Sequence, residues 1–471
     1  MADDTRSREE HEGLVRENAA LKERVGELEK VIRELRARLN RNSRNSSQPP
    51  SADKPWTIKP MKPPTGRRPG GQPGHEGTTR QPFTPAQVDR VVSVLPGRCG
   101  NCKTLLHAKD AVGEPVRHQT VDLPPTAAEV TEHLLQQCRC PDCGTVTRPD
   151  LPEGVPSGVV GPRLQAMMAL LSGRFRLSRR EVAESLVALY GEKALLSLGT
   201  VAAMEKLTSE ALAAGYDEAL EAVRSAPVVN ADETGWSEAR KRAWLWCAVT
   251  DLLKVFRIDP NRSRAAFERM LGDFAGILGT DRWSAYRALT PGQRQLCWAH
   301  LLRNFFGIEE RGGEGAKIGT AGLKAVDAVM HLWYRFKDGE ITRLGFRRLL
   351  APIRANFKRL LTRGLRNADP KAHALCSDVQ KWEPSLWTFS RIPNLDPTNN
   401  IAERALRKAV LWRKGSFGSG SAAGSRFVER MLTVTESLRA QGRPILAFLE
   451  ESVRAHGRGG PHPSLLPAQA G

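Results

Sequence analysis

Residues 226–236 read APVVNADETGW, 242–251 read RAWLWCAVTD and 253–260 read LKVFRIDP: three successive short runs rich in Val, Trp and Phe. Runs of β-branched and aromatic residues separated by turn formers specify strands, so the spacing predicts three consecutive ones. Outward from them, SRAAFERMLGDF (263–274) reads as a helix, AGILGTD (275–281) as a strand and SAYRAL (284–289) as a short helix. RQLCWAHLLRNFF (294–306) adds a further strand and helix. Three strands followed by alternating helix and strand predict a mixed α/β sheet.

Three acids fall at the ends of these elements. Asp232 is expected to end the apolar run VVNA, Asp281 follows AGILGT, and Glu403 lies in the first turn of a helix opening at NNIAERALRKAV (399–410). Each has an ordinary structural role available: Asp232 as a turn residue, Asp281 as a helix cap, and Glu403 as the partner of Asn400 in a capping box. Taken together, two strand-end aspartates about 50 residues apart with a later helical glutamate follow the order of an RNase H-like nucleotidyl-transfer core. Carboxylates converging in that way hold Mg²⁺ or Mn²⁺ for phosphodiester chemistry, because such ions take hard oxygen ligands and keep water sites open. Side chains alternate across a strand, so only one of Asp232 and Glu233 faces the metal, and alternation alone leaves the choice between them open.

The core is expected over 226–415, with a basic helical insertion at about 315–390, then a C-terminal helical region at 416–457 and a disordered tail at 458–471. Upstream, 155–225 reads as helical: Leu164, Met167, Met168 and Leu171 recur at helical spacing, and EVAESLVALYG and TVAAMEKLTSEAL flank a glycine-containing turn. Two such helices after LSRR can form a DNA-binding helix-turn-helix or simply pack together.

Five of the eight cysteines fall between Cys99 and Cys143. Cys99-Gly-Asn-Cys102 and Cys140-Pro-Asp-Cys143 form a CxxC…CxxC pair, the four-thiolate set of a closed structural Zn²⁺ site, giving a zinc-binding domain over 85–150. Cys138 is an alternative to Cys140, and the segment 116–137 is expected to carry strand. Cys247, Cys297 and Cys376 read as core residues.

The N-terminal 1–45 carries two heptad series, Leu14, Leu21, Leu28, Leu35 at d and Asn18, Val25, Ile32, Leu39 at a. Leu at d with Val and Ile at a favours a parallel two-stranded coiled coil whose register one Asn fixes, so a homodimer or higher oligomer is expected. Residues 46–84 form a basic Pro/Gly-rich linker or an arm that orders on DNA.

The chain of 471 residues carries 71 Lys plus Arg against 52 Asp plus Glu, a net charge of +19, which favours a polyanionic partner, DNA before a membrane surface. The polar start MADDTRSREEHEG is no signal peptide and no apolar run approaches the roughly 20 residues needed to span a bilayer, so the cytoplasm is expected.

At this point the sequence resembles the transposases of the insertion sequence sixty-six family, of the TnpC type. The resemblance rests on the zipper running into NSRNSSQPPS, GRRPGGQPGHEG, the two cysteine knuckles, Asp232-Glu233-Thr234, DRWSAY from Asp281, CWAHLLRNF (297–305) and NNIAERALRKAVLWRKGSFGSGSAAG (399–424). DRWSAY departs from the DGYAGY-like form more usual in that family. The resemblance implies a DDE transposase that nicks transposon ends and joins the freed 3′-OH to target DNA, with Asp232, Asp281 and Glu403 on magnesium. It further implies assembly on paired ends, with accessory transposition proteins of the same element. Arg404, Arg407, Lys408, Arg413 and Lys414 are then expected along the phosphate backbone, with His300 and Arg303 near the scissile phosphate. The rival readings are a zinc-containing dimeric DNA-binding regulator without catalysis and a hydrolytic nuclease on the same fold.

Overall fold

The structure, a computed structural model, describes residues 2–46, 53, 81–124 and 126–467. The basic arm GRRPGGQPGHEG lies outside the described residues. Two compact units are distinguished, residues 58–128 and the rest of the chain.

Helix α1, Ala2–Leu39, carries both heptad series, and Leu14, Leu21, Val25, Leu28, Ile32 and Leu35 all lie exposed on it. The polar turn after it is more ordered than a linker: Ser43 donates its N–H and hydroxyl to the Asp53 carboxylate at 2.7 and 2.6 Å. Asn45 Nδ2 reaches Glu310 Oε2 at 2.7 Å.

Strands β1, Cys138–Arg139, and β2, Val146–Thr147, pair antiparallel around the second cysteine knuckle. The strand expected over 116–137 is not formed among the described residues. Val116, Val121, Val130 and Leu134 are exposed there, and an extended segment without a partner sheet has nowhere to bury its β-branched face.

Helices α2 (Pro162–Ala169), α3 (Arg179–Tyr190), α4 (Leu198–Ala211) and α5 (Ala213–Arg224) follow. Ser178 and Glu181 cap α3 reciprocally, each side chain accepting from the other's backbone N–H.

The sheet comprises β3 (Val228–Glu238), β4 (Lys241–Val249) and β5 (Lys254–Asp259), then, after α6 (Arg264–Leu271), β6 (Ile277–Thr280) and β7 (Arg294–Leu296). Its spatial order is β5-β4-β3-β6-β7. The first three strands pair antiparallel, and β6 and β7 add parallel to β3. Asp232 does not end its strand as expected. A two-residue turn at Ala239-Arg240, both at positive φ (48° and 65°), closes a long hairpin with register from Asn230↔Val249 to Glu238↔Lys241. Only the parallel pairing stops early, at Asn230↔Gly279. Asp232 and Asp281 therefore each lie two residues past the last β3–β6 pair.

Helix α7, Trp298–Glu310, leads into α8 (Gly313–Lys337), α9 (Arg343–Leu365) and α10 (Pro370–Lys381). Helices α11 (Asn400–Ser416), α12 (Ala422–Ala440) and α13 (Ile445–Arg458) complete the chain. One core joins β3–β5 to α2, α5, α6 and α11–α13 through residues such as Trp246, Phe256, Met431 and Leu449. A second joins Leu296 and α7 to the helical insertion through Trp298, Phe305, Phe357 and Trp387. The first core runs without a break through positions 225 and 415. It also claims part of the expected tail: Leu465 is fully buried, and its N–H donates to Glu218 at 2.7 Å. A leucine pair among proline, glycine and polar residues is a weak sequence signal, yet Leu465 has an apolar site to fill here. Among the described residues no helix is long and apolar enough to cross a membrane.

Candidate active site

Pairing of β3 with β4 places Asp232 opposite Cys247 and Glu233 opposite Trp246. The alternation separates the two acids as expected. Glu233 is buried and accepts from Arg262 Nε at 2.6 Å and from the Tyr286 hydroxyl. Burial and then the charge of Asp281 push its carboxyl up to about 7, against the pull of Arg262 and Tyr286. Glu233 thus has structural partners on its own face.

Asp232 has a different setting. Burial first, then the charges of Glu233, Asp281 and Glu403, raise its carboxyl well above the usual range. The fold has brought the three acids singled out in the sequence into one another's field.

Asp281 leaves β6 and its Oδ1 accepts the Trp283 N–H at 2.8 Å, so it does serve the turn that follows. Its carbonyl accepts from Thr280 Oγ1 at 2.8 Å and from the buried Arg294 at 3.0 Å, which fixes the backbone there.

Glu403 is not a capping residue. The N-cap of α11 is Asn399, no side-chain cap bond is made, and Glu403 Oε1 instead accepts from Arg303 Nη2 at 2.8 Å. His300 Nδ1 stands 3.6 Å from the same oxygen. That nitrogen is buried without a hydrogen-bond partner. Burial and then the Arg303 charge push the imidazole below its usual value. The neutral ring so favoured is able to present a lone pair. Cys297 Sγ, a His300 ring nitrogen and a Glu403 oxygen all lie within 4.8 Å of one another.

His300 and Arg303, expected near the scissile phosphate, both lie beside the Glu403 carboxylate. Arg413 donates to Thr234 Oγ1 at 3.3 Å and to the Gly235 carbonyl, tying α11 to β3. Arg404, Arg407 and Lys414 are exposed, and among the described residues their side chains make no ion pair or hydrogen bond with the protein. Lys408 is half-buried, close to Arg174 and Arg176.

Several positioning residues were missed in the sequence. Asn399 is buried, donates to the Ala231 carbonyl at 2.8 Å and accepts from Asn230 Nδ2 at 2.8 Å. Asn230 reaches it by lying over Gly279, where a Cβ would collide with its amide. Cys297 accepts the Asn399 N–H at 3.1 Å, and Cys247 Sγ lies 3.8 Å from the Ala402 carbonyl. The signal was present in the Asn-Asn pair opening α11 and in the Cys-x-x-His spacing of α7's start, which puts both side chains on one face.

The donors fit a divalent cation. They are hard oxygens, with burial and then neighbouring acids raising Asp232, and an unpartnered imidazole nitrogen lies beside Glu403.

The two knuckles, taken separately, share one construction, RCGNCKT (98–104) and RCPDCGT (139–145). In the first, Cys99 N–H donates to the Thr104 carbonyl at 2.8 Å and Arg98 to the Lys103 carbonyl at 3.1 Å. In the second, Cys140 N–H donates to the Thr145 carbonyl at 2.8 Å and Arg139 to the Gly144 carbonyl at 3.0 Å. The sixth position takes positive φ in both, Lys103 at 63° and Gly144 at 71°. Hydrogen bonds from Thr104 lower the Cys102 thiol to about 7, and Thr145 lowers Cys143 likewise. Thiols held toward the thiolate suit a soft cation such as zinc.

Comparison with known proteins gives two family matches: residues 2–81 match a family of unknown function (DUF6444), and residues 174–426 match the transposase IS66 family. Three uncharacterized proteins of Sinorhizobium fredii (strain NBRC 101917 / NGR234) are similar. Protein y4qI is 27% identical over 52% of this chain and 50% of its own length. Protein y4jD is 23% identical over 78% of this chain and 76% of its own, and y4hP 24% identical over 74% and 69%. The chain thus spans about half the length of y4qI. The second match takes in more than half of the chain, from the turn after α2 to the start of α12, and so the chain belongs to the transposase IS66 family.

Proposed function

We propose that the chain is a DDE transposase with an RNase H-like catalytic core, acting on transposon ends and target DNA through Asp232, Asp281 and Glu403. The observation that carries the reading is geometric: Asp232 and Asp281 each lie two residues past the last β3–β6 pair of a sheet ordered β5-β4-β3-β6-β7, and Asn399 ties the start of the Glu403 helix to the Ala231 carbonyl beside them. Family membership supports action on DNA, as does the net charge of +19.

Asp232, Asp281 and Glu403 would hold Mg²⁺ or Mn²⁺, which when bound activates the attacking oxygen and stabilises the leaving oxygen of a phosphodiester. The chain's own groups prepare that place. Arg303 holds Glu403 turned toward α7, and Asn399 fixes the start of α11 against β3 beside Asp232. Arg294 holds the Asp281 backbone. Arg404, Arg407 and Lys414, exposed on α11 beyond Glu403, are available to neutralise phosphates of the bound duplex.

Zn²⁺ at Cys99, Cys102, Cys140 and Cys143 is part of the same proposal, supported by the matched construction of each loop. So is self-association through α1, whose apolar seam is unpartnered in the single chain. The test is incubation with labelled transposon-end DNA and Mg²⁺, scoring 3′-end nicking and strand transfer. Asp232→Asn and Glu403→Gln are expected to abolish both while retaining DNA binding. Equal cutting by those variants would refute the reading. Products that never join a target would favour a nuclease, and binding by the parent without any cleavage would favour a regulator.

A further inference from the structure

We propose that Trp283 is a stacking platform for an unpaired nucleobase at the edge of the carboxylate site, an assignment that rests on the transposase reading. Trp283 stands two residues after Asp281, and its backbone N–H is bonded to that carboxylate at 2.8 Å. Its indole Nε1 donates to the Arg262 carbonyl at 3.2 Å. The Arg262 guanidinium lies 3.8 Å from the Trp283 ring centroid and 4.9 Å from that of Trp244. Arg242 sits 5.0 Å from the Trp244 centroid in turn. Aromatic ring and guanidinium therefore alternate through four side chains, with Trp283 at the end next to Asp281.

The ladder is rigid where it touches the fold. The buried Glu233 holds Arg262 at 2.6 Å, which fixes the guanidinium in place. Trp283 is anchored by its backbone, its ring nitrogen and its contact with Arg262, yet it keeps 37% of its surface open. A tryptophan needed only for packing would be covered, as Trp246, Trp298 and Trp387 are. Shielding Arg262 does not account for it, since Trp244 already packs against that guanidinium.

An immobilised, half-open indole beside phosphodiester chemistry matches the needs of a base displaced from its stack. Every base has a π-face, so such a platform takes any of the four and requires no sequence readout. It would hold the strand on one side of the scissile bond while the carboxylates hold the other.

The test uses the full chain without divalent ion, so that binding is separated from cleavage. The probe is a labelled single-stranded oligothymidylate, followed by anisotropy, beside a blunt duplex of unrelated sequence. Trp283→Ala is expected to weaken the single strand about tenfold or more, the scale of one lost base stack, and to leave the blunt duplex within twofold. Trp283→Phe restores most of the affinity, and thermal melts of both variants check the fold. Unchanged single-strand affinity in Trp283→Ala would overturn the proposal. Equal losses on single strand and duplex would also overturn it, by making the residue a structural one. The catalytic reading is scored separately, as cleavage of transposon-end DNA by the parent in Mg²⁺, so its failure and the failure of this proposal give different results.

Discussion

Asn399 donates its side-chain amide to the carbonyl of Ala231 at 2.8 Å, joining the start of α11 to the central strand one residue before Asp232. Glu403 comes one helical turn after this bond, so the bridge sets how the helical carboxylate meets the strand carboxylate. Asn230 completes it from the same strand.

Removing the bridge should therefore cost both stability and activity. Asn399→Ala leaves the Ala231 carbonyl and the Asn230 amide without partners, at about 1–3 kcal/mol. Urea melts are expected to register that loss. Strand transfer is expected to fall at least tenfold, more than the lost stability explains. A variant with parental activity would show that α11 is placed by its apolar face alone.

A divalent ion should offset the burial and the acid repulsion that together raise Asp232. Adding Mn²⁺ or Mg²⁺ is expected to raise the melting temperature of the parent. Asp232→Asn is expected to melt at or above the ion-free parent and to lose most of the ion-induced shift. An equal shift in parent and variant would place the ion elsewhere.

The α/β core was legible because Val, Trp and Phe runs broken by turn formers leave few alternatives over 226–260; Asp281 follows its strand as read, whereas Asp232 lies inside a longer one. The length of β3 was not legible. It depends on a two-residue turn at Ala239-Arg240 with positive φ at both positions and no glycine, which is not a strong turn signal. Arg413 looked the same as Arg407 in sequence, since a basic residue on an exposed helix reads identically whether or not a strand carbonyl lies within reach. Asn399 escaped for a related reason: beside a helix start, Asn reads as a cap. Its actual partners are on a strand about 170 residues earlier.

Stability should fall with rising pH in part through Glu429 of α12. Burial raises its carboxyl from the ordinary 4.5 to about 7, with Arg426 opposing. Below the unfolded value both states hold the proton and the folded state has its full advantage. As pH rises toward 7 the unfolded chain releases the proton first, and stability is lost, on the order of 3 kcal/mol at most. Glu429→Gln, which stays neutral, is expected to flatten that part of the slope in urea melts taken between pH 5 and 8. An unaltered slope would mean that other groups carry it.

The matched knuckles imply matched losses. Cys99→Ser and Cys140→Ser are each expected to lower zinc content measured by metal analysis of the purified chain, and by similar amounts. Thr104→Val, which removes the hydroxyl that lowers the Cys102 thiol, is expected to raise the pH needed to load zinc. Full zinc content in either serine variant would remove that cysteine from the ligand set.

Helix α11 offers a controlled comparison between two arginines six residues apart. Arg413 is bound to Thr234 and the Gly235 carbonyl, whereas Arg407 is exposed with no side-chain partner among the described residues. Arg413→Ala leaves a carbonyl without its donor and is expected to lower stability by about 1–3 kcal/mol. Arg407→Ala is expected to leave the melting temperature within a degree or so. On DNA the order reverses if Arg407 meets a phosphate. Its removal weakens binding to all sequences alike and lowers the slope of log affinity against log salt by about one. Arg413→Ala should change that slope less, because its guanidinium is held on Thr234 and the Gly235 carbonyl. Titrations of one duplex at several salt concentrations decide the matter. Identical slopes for parent and Arg407→Ala would mean that this face of α11 points away from the backbone.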